Sequence, residues 1–212
     1  MPKSRVKLAE IAQRYWCDEH EQLVWAVNAQ GYVGSTVGVV RAAPHTPVNE
    51  VPDVEVREPG WPLPTDAVTS GLARTDEWVH DPAMWAWAQA QDPARTAVTW
   101  ADLFTVGRDE CLLLLTRKRV ALVVDSSVVE PGSAPTGGLL GRVKAFGQDR
   151  EEPSLVTWWE APVDEVRRVV AVPLGRMVVP EWFVRVEFAD GSTFCFRDDR
   201  AEQSVRTAYA NL

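Results

Sequence analysis

The sequence predicts an α+β fold in which a bent antiparallel sheet, a partial barrel, is capped by a C-terminal helix. Three observations lead there. Phe183 to Arg197 reads as two strands around an Asp190-Gly191 turn signal. The residues after it carry apolar side chains at helical spacing. Cys111 to Val124 holds two continuous apolar runs separated by Arg117-Lys118-Arg119, the pattern of strands covered on both faces or of a barrel wall.

The register of the closing hairpin follows from its side chains. A two-residue turn puts Phe194 and Phe196 opposite Glu187 and Arg185. A three-residue loop, Ala189-Asp190-Gly191 with Gly191 left-handed, puts Phe196 opposite Val184 and Phe194 opposite Val186. The second register gathers the apolar side chains on one face and is the one predicted. Asp198 or Asp199 caps the next helix, with Glu202 three residues after Asp199. Ala201, Val205, Ala208, Tyr209 and Leu212 share one helical face.

Earlier in the chain, Ser4 to Trp16 is expected to be a helix with Ser4 as N-cap and Val6, Leu8, Ile11, Ala12 and Tyr15 as its stripe. Glu21 to Ala29 reads as a strand, Gly31 and Gly34 break it, and Thr36 to Val40 forms a second. From Ala42 to Pro64 six prolines impose an extended crossing segment, with Val51, Val54 and Val56 as a brief edge strand. Thr65 to Gln91 reads as broken helix. Asp81 caps a helix with Pro82 at its first position, carrying Met84, Trp85, Trp87 and Ala88. Trp100, Leu103 and Phe104 continue the apolar material before Gly107. Asp125 to Pro153 is a glycine-rich connection containing a short basic amphipathic helix, Leu139 to Phe146. Leu155 to Glu160 is a strand on which adjacent Trp158 and Trp159 face opposite ways. A tight turn, Pro162 to Val166, feeds the strand Arg168 to Val172.

Composition bounds the function. The 212 residues hold one large domain, or one domain with an insertion. The net charge is −8, and five basic residues face twelve acidic ones between Arg41 and Glu110. That acidity argues against nonspecific nucleic-acid binding, which needs clustered Lys and Arg. Cys17, Cys111 and Cys195 have no CxxC spacing, and an odd number without a signal peptide points to a reducing cytoplasm. No apolar run is long enough for a transmembrane helix.

Catalytic and metal patterns are weak. Asp18-Glu19-His20-Glu21 is read as a solvated turn rather than a metal site, since consecutive residues point apart. His45 lies among prolines and His80 beside a cap, neither in a zinc-binding frame. The chain has no GxSxG, Walker or GxGxxG motif, so no cofactor is expected. Arg117, Lys118 and Arg119 are either a charged turn kept in water or an anion contact. Arg142 and Lys144, beside Leu139, Leu140 and Phe146, offer a membrane-surface contact or a loop helix packed on the sheet.

The run Leu113 to Val123, with Thr116 and a basic turn between two strands, resembles the "LvlTdrRlvfv" hairpin of bacterial PH-like (pleckstrin-homology and GRAM-like) domains. Ala161 to Val169 resembles their turn-and-strand motif, Val184 to Arg197 their "lrleFaDGstlrf" hairpin, and the terminal helix the one that plugs the barrel. Glu19 to Val27, preceded by a helix, is similar to their first strand. The resemblance implies a seven-stranded bent sheet and a binding or assembly role. It divides the chain into the helix and first strands (1–40), a Pro-rich, acidic, Trp-bearing, partly helical insertion (41–108) and the remainder with its helix (109–212). The basic residues that mark phosphoinositide-binding members are absent from the first strands.

The function expected is therefore a non-catalytic interaction or scaffold module with a protein partner or self-association. The insertion holds half of the ten tryptophans, and Trp78, Trp85 and Trp87 are its candidate anchors. A membrane-peripheral protein using the Gly137–Gly147 loop, and an enzyme with a site in the insertion, are the alternatives.

Overall fold

The computed structural model describes residues 5–54, 56–72, 76–129, 155–175 and 179–211. The chain is α+β and builds two sheets. Helix α1 (Arg5–Tyr15) leads into β1 (Leu23–Asn28), β2 (Tyr32–Val37) and β3 (Val40–Ala42). A short α2 (Asp66–Thr69) and a 3-10 turn (Glu77–His80) precede β4 (Met84–Ala90) and α3 (Thr96–Gly107). Then come β5 (Cys111–Thr116), β6 (Arg119–Asp125), β7 (Leu155–Pro162), β8 (Val166–Leu174), β9 (Glu181–Phe188), β10 (Thr193–Arg197) and α4 (Ala201–Asn211). One sheet runs β1-β5-β6-β7, the other β3-β2-β4-β10-β9-β8. Every pair from β5 onward is antiparallel, whereas β2 and β4 run parallel. Among the described residues neither sheet closes into a barrel.

The closing hairpin takes the register that collects its apolar side chains. Phe194 lies opposite Val186 and Phe196 opposite Val184. Gly191 has φ +83°, the left-handed conformation the three-residue loop requires. On the other side of β10, Ala88 faces Phe194 and Ala86 faces Phe196, small against large. β5 and β6 are covered on both faces. Leu113, Leu115, Val120 and Leu122 enter the core between the sheets, while Leu112, Leu114, Ala121 and Val123 pack with Leu8 and Ala12 of α1. Ser4, the expected cap of α1, and Leu212 lie outside the described residues, as does the expected helix Leu139 to Phe146.

Two helices bridge the sheets. α3 touches β2, β4 and β10 on one side and β5 and β6 on the other. Apolar on nearly all sides, it suits such a buried place. Its first N–H groups are capped from the β9–β10 turn: Thr96 N donates to Asp190 Oδ2 (2.7 Å) and Ala97 N to Ser192 Oγ (3.1 Å). The Ser192 hydroxyl donates in turn to Asp190 Oδ1 (2.6 Å). Burial by itself would raise the Asp190 carboxyl, but hydrogen bonds from Ser192 and Thr96 hold it below the usual aspartate range. At the other opening α4 packs on β8, β9 and β1. Asp198 accepts from Arg200 N (2.9 Å) and the Ser204 hydroxyl (2.7 Å), so it is the cap. Ala201 and Ala208 are buried, and the Trp25 indole donates to Ser204 O (3.0 Å). Tyr209 is exposed on the ring, with its hydroxyl accepting from Val169 N (3.5 Å) at the β8 edge.

Residues 41–108 depart from expectation. Met84 to Ala90 is a strand, not a helix, and it sits in the middle of the six-stranded sheet. Asp81 caps no helix. It accepts from Ala83 N (2.9 Å) and from the backbone and hydroxyl of Thr65, pinning the loop. The segment thus forms no separate helical subdomain, because β4 and α3 are integral to the core. Val51, Val54 and Val56 form no strand. Trp158 and Trp159 do not take opposite faces. A bulge in the β6–β7 pairing between Leu122 and Val123 lets both pack against the inter-sheet core.

Phe194→Ala is expected to cost about 3–5 kcal/mol in urea unfolding, the range for a fully buried Phe. Asp190→Ala is expected to cost about 1–2 kcal/mol through loss of the α3 cap. A Phe194 loss below about 1 kcal/mol would contradict the register.

Candidate functional site

The polar side chains with the look of chemistry fall into two buried clusters and one exposed corner. The first cluster joins the α1–β1 junction to the β5–β6 turn. Glu21, 3% exposed, closes a turn with Asp18 and accepts from the Thr116 hydroxyl (2.6 Å). Thr116 in turn accepts the N–H groups of Lys118 (3.1 Å) and Arg119 (3.0 Å). The Arg119 guanidinium forks onto Glu21, with Nε to Oε1 at 3.0 Å and Nη2 to Oε2 at 2.8 Å. Its third nitrogen reaches Glu160 (2.8 Å), and its plane lies 4.1 Å above the Trp16 ring centroid. Arg119 is thus committed internally, and an external anion would have to displace carboxylates. The Asp18–Glu21 stretch is not wholly solvated as expected, since Glu21 is this buried partner.

Desolvation would raise the Glu21 carboxyl, yet the Arg119 and Thr116 hydrogen bonds outweigh it and hold it below its usual 4.5. The neighbouring Cys17 thiol is pushed up to about 11, first by burial and then by Glu21. That environment favours the protonated thiol at neutral pH. Burial likewise raises Cys111 and Cys195. Among the described residues no group of three His, Cys, Asp or Glu side chains is placed to hold a metal ion.

The second cluster escaped the sequence reading. His45 Nδ1 lies 2.7 Å from Ser35 Oγ, and its Nε2 lies 2.7 Å from Asp102 Oδ1. Asp102, on α3, also accepts from Val48 N (2.9 Å) and Asn49 Nδ2 (2.7 Å). The residue types are those of a serine hydrolase relay. The geometry is structural, however. Both ring nitrogens are taken and all three side chains are buried, with Ser35 only 2% exposed. A substrate carbonyl has no approach to that hydroxyl. The cluster instead straps the proline-rich segment onto α3. Its members stand 10 and 57 residues from His45, so no local motif announces it.

Trp78, Trp85 and Trp87, the candidate anchors, are interior side chains. Trp85 (2% exposed) packs against Phe104 and Phe196 between the sheets. A bulge where β4 meets β2 shifts the alternation there, so Trp87 takes the opposite face. Trp87 stacks on Trp78 at 5.2 Å, donates to Thr36 Oγ1 (3.0 Å) and carries the Arg41 guanidinium at 4.5 Å. A side chain on Gly34 would strike its ring. Trp78 is 3% exposed and closes a small core with Val68 and Phe183.

Arg117 and Lys118 stand exposed at the β5–β6 turn. Val163 N donates to Lys118 O (2.9 Å), which brings that turn beside the β7–β8 connection. There Arg167 and Arg168, which the sequence reading passed over as strand residues, are also exposed. Arg142 and Lys144 lie outside the described residues.

The Glu21–Arg119 pair sets a pH dependence. A carboxyl held low in the folded state adds stability above about 4.5, lost as pH falls through its folded value. Thermal melts are expected to show wild type more stable than Glu21→Gln at neutral pH, the gap narrowing on acidification below about 4.5. A gap independent of pH would remove the charge from the explanation.

No protein-family model, curated protein or solved structure matches this chain.

Proposed function

We propose that this chain is a non-catalytic protein-interaction module built on a PH-like arrangement of two sheets and a terminal helix. One contrast carries the reading. The polar clusters that resemble catalytic groups are closed by their own partners, while large apolar side chains on residues 39–72 stand in water. Val39 is 98% exposed, Val40 66%, Leu63 81% and Leu72 80%. β3 is one of the two edge strands of the six-stranded sheet among the described residues. Ala43, just past it, packs into the small core that holds Val68 and Trp78, so this edge and the α2 segment are neighbours. Exposed valines in the β2–β3 turn (Val39) and at the start of an edge strand (Val40) favour contact with another chain. The partner surface is therefore assigned to residues 39–72, with the buried tryptophans as its support.

The membrane-peripheral reading rests on Arg142 and Lys144 and has no support among the described residues. No described helix is long and apolar enough to cross a membrane. The enzyme alternative, a site in the insertion, finds its nearest polar cluster among the described residues at Ser35, His45 and Asp102, all of them almost wholly buried.

Val39→Asp/Val40→Asp is expected to change stability by less than about 0.5 kcal/mol, since both side chains are exposed. Affinity capture with wild type is expected to retain a protein that this variant loses. A saturable thermal shift with a nucleotide or a divalent cation would count against a non-catalytic module.

A further inference from the structure

We propose that the corner formed by Arg117, Lys118, Arg167 and Arg168 is a docking surface for an acidic polypeptide segment. The inference deepens the interaction reading and rests on it, but it uses residues far from Val39 and Val40 in the chain. Its first support is placement. The Val163–Lys118 backbone hydrogen bond holds the β5–β6 turn against the β7–β8 connection, so the two basic dipeptides share one end of the molecule.

The second support is a bulge. Val166 lies opposite Phe188 and Arg168 opposite Glu187, so Arg167 is an extra residue in β8. In a regular strand, adjacent side chains take opposite faces, and one of these arginines would enter the core. With the bulge, Val166 and Val169 both pack against the inter-sheet core while Arg167 and Arg168 are both exposed. None of the four cations has an ion pair among the described residues.

Two guanidinium forks side by side suit carboxylates, which they bind through paired N–H groups. The form of the partner follows from the neighbours. Asp164 and Glu165 lie exposed between the two basic dipeptides, so the four cations do not make the continuous positive face that a flat lipid surface needs, whereas a narrow peptide can place its carboxylates on each dipeptide. Among the described residues no exposed large hydrophobic side chain falls in this corner to enter a bilayer. Strand addition along β8 is blunted as well, because Val169 N is taken by Tyr209 and Pro173 has no N–H. Recognition is left to side chains. The chain's net charge of −8 repels an anion at long range. Screening limits that repulsion to about 8 Å at physiological salt, so contact depends on the four local cations.

The test is fluorescence anisotropy of the full chain with a labelled oligoglutamate peptide, alongside flotation with vesicles of phosphatidylserine and phosphatidylcholine. The peptide is expected to bind saturably at low salt and to be released at high salt. Arg167→Gln/Arg168→Gln and Arg117→Gln/Lys118→Gln are each expected to weaken binding about tenfold, at roughly 0.5–1 kcal/mol per exposed charge removed. Arg200→Gln/Arg206→Gln removes the same charge from α4 and is expected to leave affinity unchanged. Val39→Asp/Val40→Asp is expected to bind like wild type, so failure of the edge reading is separable from failure here. Absence of saturable peptide binding, equal loss in the α4 variant, or vesicle flotation abolished by Arg167→Gln/Arg168→Gln would each overturn the proposal.

Discussion

An apolar helix between two sheets must have its open N–H groups satisfied without water, and in α3 that is done by Asp190 and Ser192. These acceptors lie 94 and 95 residues further along the chain. The same turn that reverses β9 into β10 therefore fixes where α3 begins. Gly191 allows the turn, Ser192 holds the Asp190 carboxylate in place, and Arg95 adds a bond to Asp190 O (3.0 Å). With α3 seated, Trp100 and Phe104 reach Phe194, and the two sheets acquire a common core. Displacing the turn would leave donors unpaired at a part-buried helix terminus, at Ala97 N without ready access to water.

The buried polar clusters do related work at other junctions. Glu21 and Arg119 fasten α1 to the β5–β6 turn. Ser35, His45 and Asp102 bind the proline-rich segment to α3 and β2. Arg197 donates to Val79 O (2.6 Å) and pairs with Glu181 (2.7 Å), tying the 3-10 turn over the outer face of the six-stranded sheet. In each case a charged or hydrogen-bonded side chain secures a segment that cannot form regular backbone ladders. That is why residue types resembling catalytic groups recur here without access to solvent.

Legibility in the sequence followed the range of the interaction. The hairpin register was readable because Val184, Val186, Phe194 and Phe196 alternate around a turn that only one loop length satisfies. The β5–β6 pair was readable from uninterrupted apolar runs. β4 was misread because Ala86, Ala88 and Ala90 favour helix locally and Asp81-Pro82 imitates a helix start. Pairing with β2 and β10 overrides both. The alternation Trp85-Ala86-Trp87-Ala88 was the available strand signal, although the bulge against β2 puts the two tryptophans on opposite faces. Of the candidate site residues, Arg117 and Lys118 were visible as a turn. Arg167 and Arg168 were not, since a bulge depends on the partner strand. Adjacent charges inside an otherwise apolar strand were the available signal.

The topology also orders events during synthesis. β4 is bordered by β2, made some fifty residues earlier, and by β10, made about a hundred residues later. Until the chain has grown past Arg197, Ala86 and Ala88 have a strand on the β2 side only and Trp85 lacks its Phe194 and Phe196 neighbours. An emerging chain therefore carries an apolar, half-paired central strand through much of its elongation, the kind of segment that attracts chaperones.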